Sequence, residues 1–476
     1  MLIYNTLSRK KEQFVPLKGK EVKMFVCGQT VYDDAHLGHA KNYVNFDVIS
    51  RWLRYSGYLV HYVQNITDID DKIIKRAQEQ GLDSIDLARK YEARFMEDMD
   101  AIGVKKNVDE YPRSHDYIDT IRDQIQLLAD KGYAYALGDD IYYDVARFGD
   151  YVNLSGMKLS ELEKHRVEPK EGKKNPYDFA LWKGAKEGEP SWKIKLTMEG
   201  SSGTFNGRPG WHIEDTAITY AIFGSQYDIH GGAQELIFPH HTNEIAQAEA
   251  AFGVKPFVRY WMHAGIMLIK GEKMSKSLRN FIRIRDLIRQ YDPEALRLLI
   301  CSTHYRKDMA YGDNLIKDAQ SKLRLLYSSL SVFYNMNTAK SSQRCAEVEE
   351  IIANLRSGFS QAMDDDFNTP LALTHLISAI TQLRSYAESY PEIGDTAKEN
   401  AVNEVLRMAG VLGILEKGTY KEKLPDGGAS LIKEREKLRK EKRFSEADGI
   451  RSRLREEFGI VVEDSEYGTI WYRQSS

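Results

Sequence analysis

The segment Val22 to Gly28, VKMFVCG, is a short apolar run closed by glycine. Its length is that of a strand, and an uninterrupted apolar run reads as a strand covered on both faces. A loop rich in Asp and His follows. Tyr43 to Tyr55 then places apolar residues at helical spacing, Gly57 stops the helix, and Tyr58 to Ile66 (YLVHYVQNI) is a second strand-like run. A strand–helix–strand order of about thirty residues builds a parallel sheet from crossover units. In such sheets the loop after the first strand, with the helix start beyond it, is where nucleotides bind.

At 476 residues the chain is long enough for two to four domains. Residues from roughly 105 to 200 combine a helical stretch (Tyr117 to Ala129), a strand-like pair between Ala134 and Val145 and long polar turns, and read as an insertion between two halves of the nucleotide fold. The apolar pattern returns at Thr216 to Phe223 and at Arg259 to Leu268. After Asp292-Pro293-Glu294, an N-cap followed by proline at the first helical position, the chain reads as successive helices. Leu315, Ala319, Leu323, Leu326 and Leu330 keep one face; Val348, Ile351, Leu355 and Phe359 keep another; and stripes through Leu376 and Val405 complete a bundle. Pro425 to Gly428 is a turn and linker. A basic helix from about Leu431 to Glu457 and two strand-like runs, Gly459 to Val462 and Thr469 to Tyr472, form a small tail module.

Hydrophobic residues at 42% and charged residues at 29% are the balance of a soluble globular protein. The net charge of −3, from 67 basic and 70 acidic residues, announces no polyanionic partner, so a nucleic acid would have to be met by local basic patches. The first twenty residues contain no apolar run of signal-peptide length, and no stretch reaches membrane-span length. Three widely separated cysteines (Cys27, Cys301, Cys345) argue against a disulfide framework. The expected compartment is the cytoplasm.

Three constellations carry chemistry. His36-Leu37-Gly38-His39 follows the first strand and opens a helix, where two imidazoles can donate to phosphate oxygens beside the positive helix end and Gly38 lets a nucleotide approach. Two histidines in a surface loop are the alternative reading of the tetrapeptide alone. Lys273-Met274-Ser275-Lys276-Ser277 sets two lysines three apart in a Gly/Ser loop, suited to departing phosphates or, alternatively, a solvated basic turn. Cys27 ends the first strand, and His240 and Glu244 stand one helical turn apart, so the three make a zinc site or are three unrelated residues.

HLGH and KMSKS together, in this order and at this separation, resemble the two nucleotide-binding motifs of class I aminoacyl-tRNA synthetases. CGQTVYDDAHLGHA, QNITDIDDKI, GRPGWHIED, YDIHGGAQELIFPHHTNEIAQAEA and IVVEDSEYGTIW resemble cysteinyl-tRNA synthetases through the whole chain. The resemblance implies an α/β fold: a Rossmann-like parallel-sheet catalytic core with an insertion, an α-helical bundle and a small C-terminal α+β module. Its expected parts are 1–104 and 201–268 for the two core halves, 105–200 for the insertion and 269–300 for a linking segment with the lysine loop. Residues 301–420 would form the bundle and 430–476 an anticodon-binding module.

The resemblance further implies ATP-dependent activation of cysteine to its adenylate and transfer to the 3′-terminal ribose of tRNA(Cys). Donors fixed on the equatorial phosphate oxygens lower the barrier to in-line attack. His36, His39, Lys273 and Lys276 would supply them, with Mg2+ accompanying ATP. The family binds substrate thiolate on zinc, which sulfur ligates far better than a serine hydroxyl does. Two Cys, one His and one Glu are its usual ligands. Here they would be Cys27, Asp215, His240 and Glu244, with Asp215 standing where the family usually has Cys and Thr242 replacing an acid outside the metal shell. The charge is conserved, and zinc accepts carboxylate oxygen.

By position, Thr67 and Trp211 would line the cysteine pocket, and Asp228, His230, Gly231 and Gly232 would form a nucleoside-contacting loop. From Lys433 to Arg455 there are ten Lys/Arg residues, by default a solvated face. The resemblance makes this the anticodon module, with Phe444 (where the family can carry Trp) stacking on a base and Arg439, Asp448 and Asp464 reading base edges. The family also implies a monomer. The competing functions are a cysteine ligase using a small amino-sugar acceptor, which lacks the tail module, a synthetase relative with altered amino-acid specificity, and a non-catalytic RNA-binding relative.

Overall fold

The protein is described from a computed structural model that covers residues 1–157, 171–198, 200–269, 271–273, 281–339, 345–416, 427–465 and 468–473. A hairpin of β1 (Leu2–Asn5) and β2 (Lys10–Gln13) leads into β3 (Glu21–Thr30), α1 (Leu37–Tyr55) and β4 (Leu59–Thr67). Helices α2 (Asp71–Gln80), α3 (Ser84–Ala101) and α4 (Ile118–Asp130) follow. Next comes an antiparallel sheet of β5 (Ala134–Leu137), β6 (Asp140–Tyr143), β7 (Phe179–Gly184), β8 (Trp192–Met198) and β9 (Ser201–Pro209), ordered β5-β6-β7-β9-β8. The chain then returns through α5 (Ile213–Phe223), β10 (Tyr227–Ala233), α6 (Thr242–Phe252) and β11 (Val258–Ala264).

The central sheet is parallel, in the order β11-β10-β3-β4. Val22, Met24, Phe25 and Val26 of β3 are wholly buried, as a central parallel strand requires. From β3 the chain winds outward through β4 on one side, and it later winds outward from β10 on the other. The crevice beyond the carboxyl ends of β3 and β10 is therefore the topological switch point, where open α/β sheets bind ligands. Ile121, Ile125 and Leu128 of α4 share one core with Phe25 and Val63 of the sheet and with Ile141 and Trp182 of the inserted strands.

Two local features shape that crevice. A register shift in the β3–β4 pairing falls between Val26 and Gln29, and Gly28 lies in it. A Cβ on Gly28 would sit 1.5 Å from the Asn65 carbonyl oxygen, so only glycine permits the two strands to approach this closely. Helix α1 starts at Leu37 because His36 caps it. His36 Nδ1 accepts hydrogen bonds from the backbone N–H of Gly38 (3.1 Å) and His39 (3.3 Å), and His39 Nδ1 accepts one from the His36 N–H (3.3 Å). The imidazoles thus form a reciprocal capping box, a role usually taken by Ser or Thr with Glu.

Beyond β11, a small sheet joins β12 (Met267–Ile269), β13 (Glu272–Lys273) and β14 (Met309–Tyr311), and α7 (Ile284–Ile288) follows the lysine loop. Backbone hydrogen bonds from Leu37 to Ile282 (3.0 Å) and from Ile284 to Ala35 (3.0 Å) tie the far side of that loop to the start of α1. Met274 to Ser277, with Lys276 among them, lie outside the described residues, as do Pro425 and Asp426 of the expected linker.

Chain contacts divide the protein into two units: residues 1–290 with 305–311 and 365–367, and residues 291–304 with 312–364 and 368–476. In the second unit Asp292 caps α8 (Pro293–Cys301), accepting from Glu294 N–H at 2.9 Å. A helical bundle of α9 (Asp313–Tyr334), α10 (Cys345–Asp364), α11 (Thr369–Ser389) and α12 (Asp395–Leu412) buries Leu323, Leu355, Leu376 and Val405, and β15 (Asn337–Ala339) pairs with β16 (Glu392–Gly394).

In the tail, the single basic helix expected from Leu431 to Glu457 is two helices, α13 (Gly428–Lys440) and α14 (Phe444–Phe458). Lys442 turns the chain at a φ of 61°. The break lets Leu431, Ile432 and Leu438 bury against Ala447, Ile450 and Leu454, with Ile460 and Val462 of β17 (Ile460–Ser465) and Trp471 of β18 (Gly468–Arg473) completing the core. One straight helix could not bring those two sets together. Among the described residues no helix is long and apolar enough to cross a membrane.

Candidate active site

At the carboxyl end of β3, the bulge at Gly28 presents Cys27 to the first turn of α5 and the start of α6. Cys27, Asp215, His240 and Glu244 are all buried, and one ligand atom from each lies within 4.8 Å of the others. Cys27 Sγ stands 3.3 Å from Asp215 Oδ2, and His240 Nε2 stands 3.1 Å from that same oxygen and 3.0 Å from Glu244 Oε1. Asn65 Nδ2 donates to Asp215 Oδ1 at 2.6 Å, and the outer nitrogen of His240 meets His212 Nδ1 at 2.9 Å.

The electrostatics are those of an anionic hole. Burial, then Asp215 and Glu244, push the Cys27 thiol well above its ordinary range. Burial raises Glu244 to about 7 even against the pull of His240. Burial depresses His240, but Glu244 and Asp215 outweigh it and hold the imidazolium up to about 9. Both Glu244 oxygens are buried, and imidazoles are what they face: Oε1 lies 3.0 Å from His240 and Oε2 3.5 Å from His230. One thiol, two carboxylates and an imidazole, with such oxygens among them, are a donor set that a divalent cation satisfies, and they fit zinc.

Cys27, Asp215 and His240 of the cluster line a cavity of about 510 Å³ that is also lined by His36, Gly38 and His39. Because both Nδ1 atoms accept backbone hydrogens, the neutral imidazoles of His36 and His39 carry their protons on Nε2. Their rings are stacked, 3.7 Å between centroids. Thr67 and Trp211 line the same cavity, and Trp211 stacks on His240 at 4.2 Å. Lys273 closes β13, and Lys276 lies outside the described residues.

The nucleoside loop expected at Asp228, His230, Gly231 and Gly232 is not a loop. All four lie on buried β10, and none lines the cavity. Asp228 sits at the opposite end of the strand, accepting from the backbone N–H of Leu17 (2.6 Å) and Lys23 (2.9 Å). The glycines make room for protein rather than ligand, since a Cβ on Gly231 would meet the Phe46 ring at 2.4 Å and one on Gly232 the His241 ring at 2.8 Å.

Other residues went unnoticed in the sequence. Glu235, just past β10, and Lys72, whose Nζ lies 5.9 Å from the Trp211 ring centroid, both line the cavity. Asn65 holds Asp215 and Gly28, and a polar residue at the end of an apolar strand run was its signal.

The description "tRNA synthetases class I (C) catalytic domain" matches residues 13–321, "DALR domain" matches 358–416, and "Cysteinyl-tRNA ligase anticodon binding domain" matches 421–472. Cysteine–tRNA ligase of Thermococcus gammatolerans is 46% identical over 481 residues, covering 99% of this chain and 98% of that one. The chain belongs to the cysteinyl-tRNA synthetases. Cysteine–tRNA ligase of Symbiobacterium thermophilum is 42% identical over 479 residues, covering 99% of each chain. Methionyl-tRNA synthetase of Mycobacterium tuberculosis, solved with methionyl-adenylate, shares the fold at a TM-score of 0.58 and 15% identity, covering 83% of this chain and 90% of that one. Leucyl-tRNA synthetase of Agrobacterium radiobacter K84, solved with tRNA, does so at 0.60 and 11%, covering 84% and 86%.

In the tail module of this synthetase Phe444 is 52% exposed, with the Arg439 guanidinium 5.7 Å from its ring centroid. Arg439 also pairs with Asp464 at 3.0 Å, and buried Arg435 grips both oxygens of Asp464 at 2.8 and 2.6 Å. Asp448 lies exposed on α14.

Proposed function

We propose that the chain activates cysteine with ATP and transfers it to the 3′-terminal ribose of tRNA(Cys). The observation that carries this reading is a buried thiol–carboxylate–imidazole cluster opening onto the same cavity as two stacked, helix-capping histidines. The amino-acid carboxylate attacks the α-phosphorus of MgATP in line. The Nε2–H groups of His36 and His39, held by the capping box, meet the charge that builds on the phosphate oxygens, and the amino end of α1 adds its dipole. Lys273 and Lys276 follow the departing pyrophosphate. Glu235, at the rim just beyond β10, takes the ribose hydroxyls in place of the expected loop.

Cys27, Asp215, His240 and Glu244 hold zinc in this reading. The bound ion supplies an affinity for thiolate sulfur that a hydroxyl does not match. Around it, Asn65 orients Asp215, His212 orients His240, and Trp211 and Thr67 wall the side-chain pocket. Phe444 stacks on an unpaired anticodon base, with Arg439, Asp448 and Asp464 beside it. The anticodon-domain match over 421–472 favours this acceptor over a small amino sugar.

The test is ATP–pyrophosphate exchange with each of the twenty amino acids and no tRNA. Exchange with cysteine alone is expected. Exchange driven by another amino acid would make Asp215 a change of specificity, and no exchange at all would remove the catalytic reading.

A further inference from the structure

Asp34, in the loop between β3 and α1, is a buried carboxylate faced by three guanidiniums. Arg94 of α3 reaches both of its oxygens, with Nε 2.6 Å from Oδ1 and Nη2 2.8 Å from Oδ2. Arg285 Nε stands 3.5 Å from Oδ1, and Arg283 Nε stands 3.7 Å from Oδ2. We propose that Asp34 is a positioning residue for His36: through Arg283 and Arg285 it holds residues 281–284 against the start of α1 and so keeps the His36 ring aimed. The inference rests on the activation reading above, in which His36 meets the charge that builds on the phosphate oxygens.

Residues 281–284 clamp the helix start directly. A short antiparallel bridge joins His36 to Arg283. On either side of it, the Leu37 N–H donates to the Ile282 carbonyl and the Ile284 N–H to the Ala35 carbonyl, each at 3.0 Å. The Phe281 ring meets the His36 ring edge-on, 5.1 Å between centroids and 78° between planes. Phe281 and the stacked His39 thus hold the His36 ring while its Nδ1 takes the capping hydrogen bonds. A lone bridge of two hydrogen bonds is marginal in water, so the clamp needs a further anchor.

The guanidiniums supply that anchor. A carboxylate as buried as Asp34 is stable only when paired, and the guanidinium fork matches it in shape. Arg285 extends the tie, because its Nη2 lies 3.1 Å from buried Asp98 of α3 and donates to the Arg94 carbonyl at 2.9 Å. Helix α3, the loop before α1 and the start of α7 therefore meet at one ionic centre. With Asp34 uncharged, three guanidiniums would repel one another with Asp98 as the buried acid left among them. Residues 283–285 would then move away from α3 and from the helix start that they clamp.

The ionic centre stands behind the site rather than in it. His36 lines the cavity, while Asp34, Arg94, Arg283 and Arg285 do not. Their effect on the reaction passes through the His36 ring, and a donor displaced by about 1 Å costs on the order of 100-fold in rate.

Cysteine-dependent ATP–pyrophosphate exchange tests this on the full chain in Asp34→Asn, His36→Asn and the double variant. Asn at position 36 still caps α1 while removing the imidazole donor. Asp34→Asn is expected to lower kcat about 10- to 100-fold. KM for ATP and for cysteine should stay within about threefold, the split of an interaction made in the transition state. In the His36→Asn background the same change should cost less than about threefold more, since the group it acts through is gone. Losses that multiply in the double variant, or a risen KM with kcat unchanged, would overturn the positioning role and make Asp34 a prop of the fold. Arg283→Met, at a half-exposed side chain whose loss spares the core, should repeat the pattern at about 2- to 5-fold, the worth of such an ion pair. Unchanged kcat in Asp34→Asn, or in Arg283→Met where Asp34→Asn does not fold, would overturn the inference as well. No exchange by the wild-type chain would instead overturn the activation reading, and this inference with it.

Discussion

Replacing Asp215 by Asn separates what the carboxylate does for the fold from what it does for the metal. The residue is 2% exposed. Its Oδ2 lies 3.3 Å from Cys27 Sγ and 3.1 Å from His240 Nε2, and its Oδ1 takes the Asn65 amide at 2.6 Å. Asn keeps the shape and removes one negative charge from a cluster in which Asp215 and Glu244 already repel a Cys27 thiolate. Metal-free Asp215→Asn is expected to lose no more than about 2 kcal/mol, the scale of one hydrogen bond to a charged group. His240 keeps Glu244 at 3.0 Å.

The zinc-loaded protein responds differently. Losing an outer partner of a ligand typically costs about 10- to 100-fold in metal affinity, and losing an anionic donor costs more. Zinc affinity should therefore fall at least ~100-fold, or ~2.7 kcal/mol. Competition with a chromophoric chelator measures the affinity, and denaturant titration of the metal-free proteins measures the fold. Affinity within about threefold of wild type would remove Asp215 from the ligand set. Asp215→Cys, which adds a thiolate, should tighten zinc binding.

Three further outcomes follow from the geometry. Phe444→Ala should lower kcat/KM for tRNA roughly 5- to 150-fold, the ~1–3 kcal/mol of a base stack, while ATP–pyrophosphate exchange stays within about twofold. Equal losses in both would show that Phe444 supports the fold rather than the RNA. Gly28→Ala places a Cβ 1.5 Å from the Asn65 oxygen and should destabilise the protein by about 3 kcal/mol, and an unchanged melting temperature would contradict the close approach of β3 and β4.

Lys41 donates to the Gly265 and Tyr305 carbonyls at 2.6 and 3.2 Å, and burial, opposed by Asp308, lowers it from 10.5 to about 8. Between those values the unfolded chain holds the extra proton, so wild type gains stability as pH rises through the window, by up to ~3 kcal/mol. Relative to Lys41→Met, denaturant titrations should show that gain between pH 8 and 10.5. A pH-independent difference would refute it.

The opening strand–helix–strand unit was legible because β3 and β4 are long apolar runs separated by one helical stretch. The helix start is legible from the motif rather than from apolar spacing: HLGH reads as opening a helix and α1 begins at Leu37, although the apolar pattern begins only at Tyr43 and an imidazole is not among the residues that usually signal a cap. The resemblance places Asp228, His230, Gly231 and Gly232 in a nucleoside-contacting loop, but they lie on β10, where the glycines admit Phe46 and His241. In α9 the buried stripe starts at Ile316, with Leu315 left 37% exposed, a one-position drift that apolar spacing alone does not resolve. The tail helix breaks at Lys442, which carries no glycine or proline signal. Motif spacing placed Cys27, His240 and Glu244 as candidates. That His230 and His241 also face Cys27 depends on how β10 and α6 meet β3, a property of the packed sheet rather than of any local pattern.

The most direct measurement is aminoacylation of a tRNA(Cys) transcript by the zinc-loaded chain, with cysteine and serine supplied separately. The account predicts charging with cysteine and, for serine, a kcat/KM lower by a factor on the order of 10⁴ or more, the discrimination available to a site that binds the distinguishing group directly. Comparable charging with serine, or no charging with cysteine, would contradict a thiol-selecting metal site built on Cys27, Asp215, His240 and Glu244.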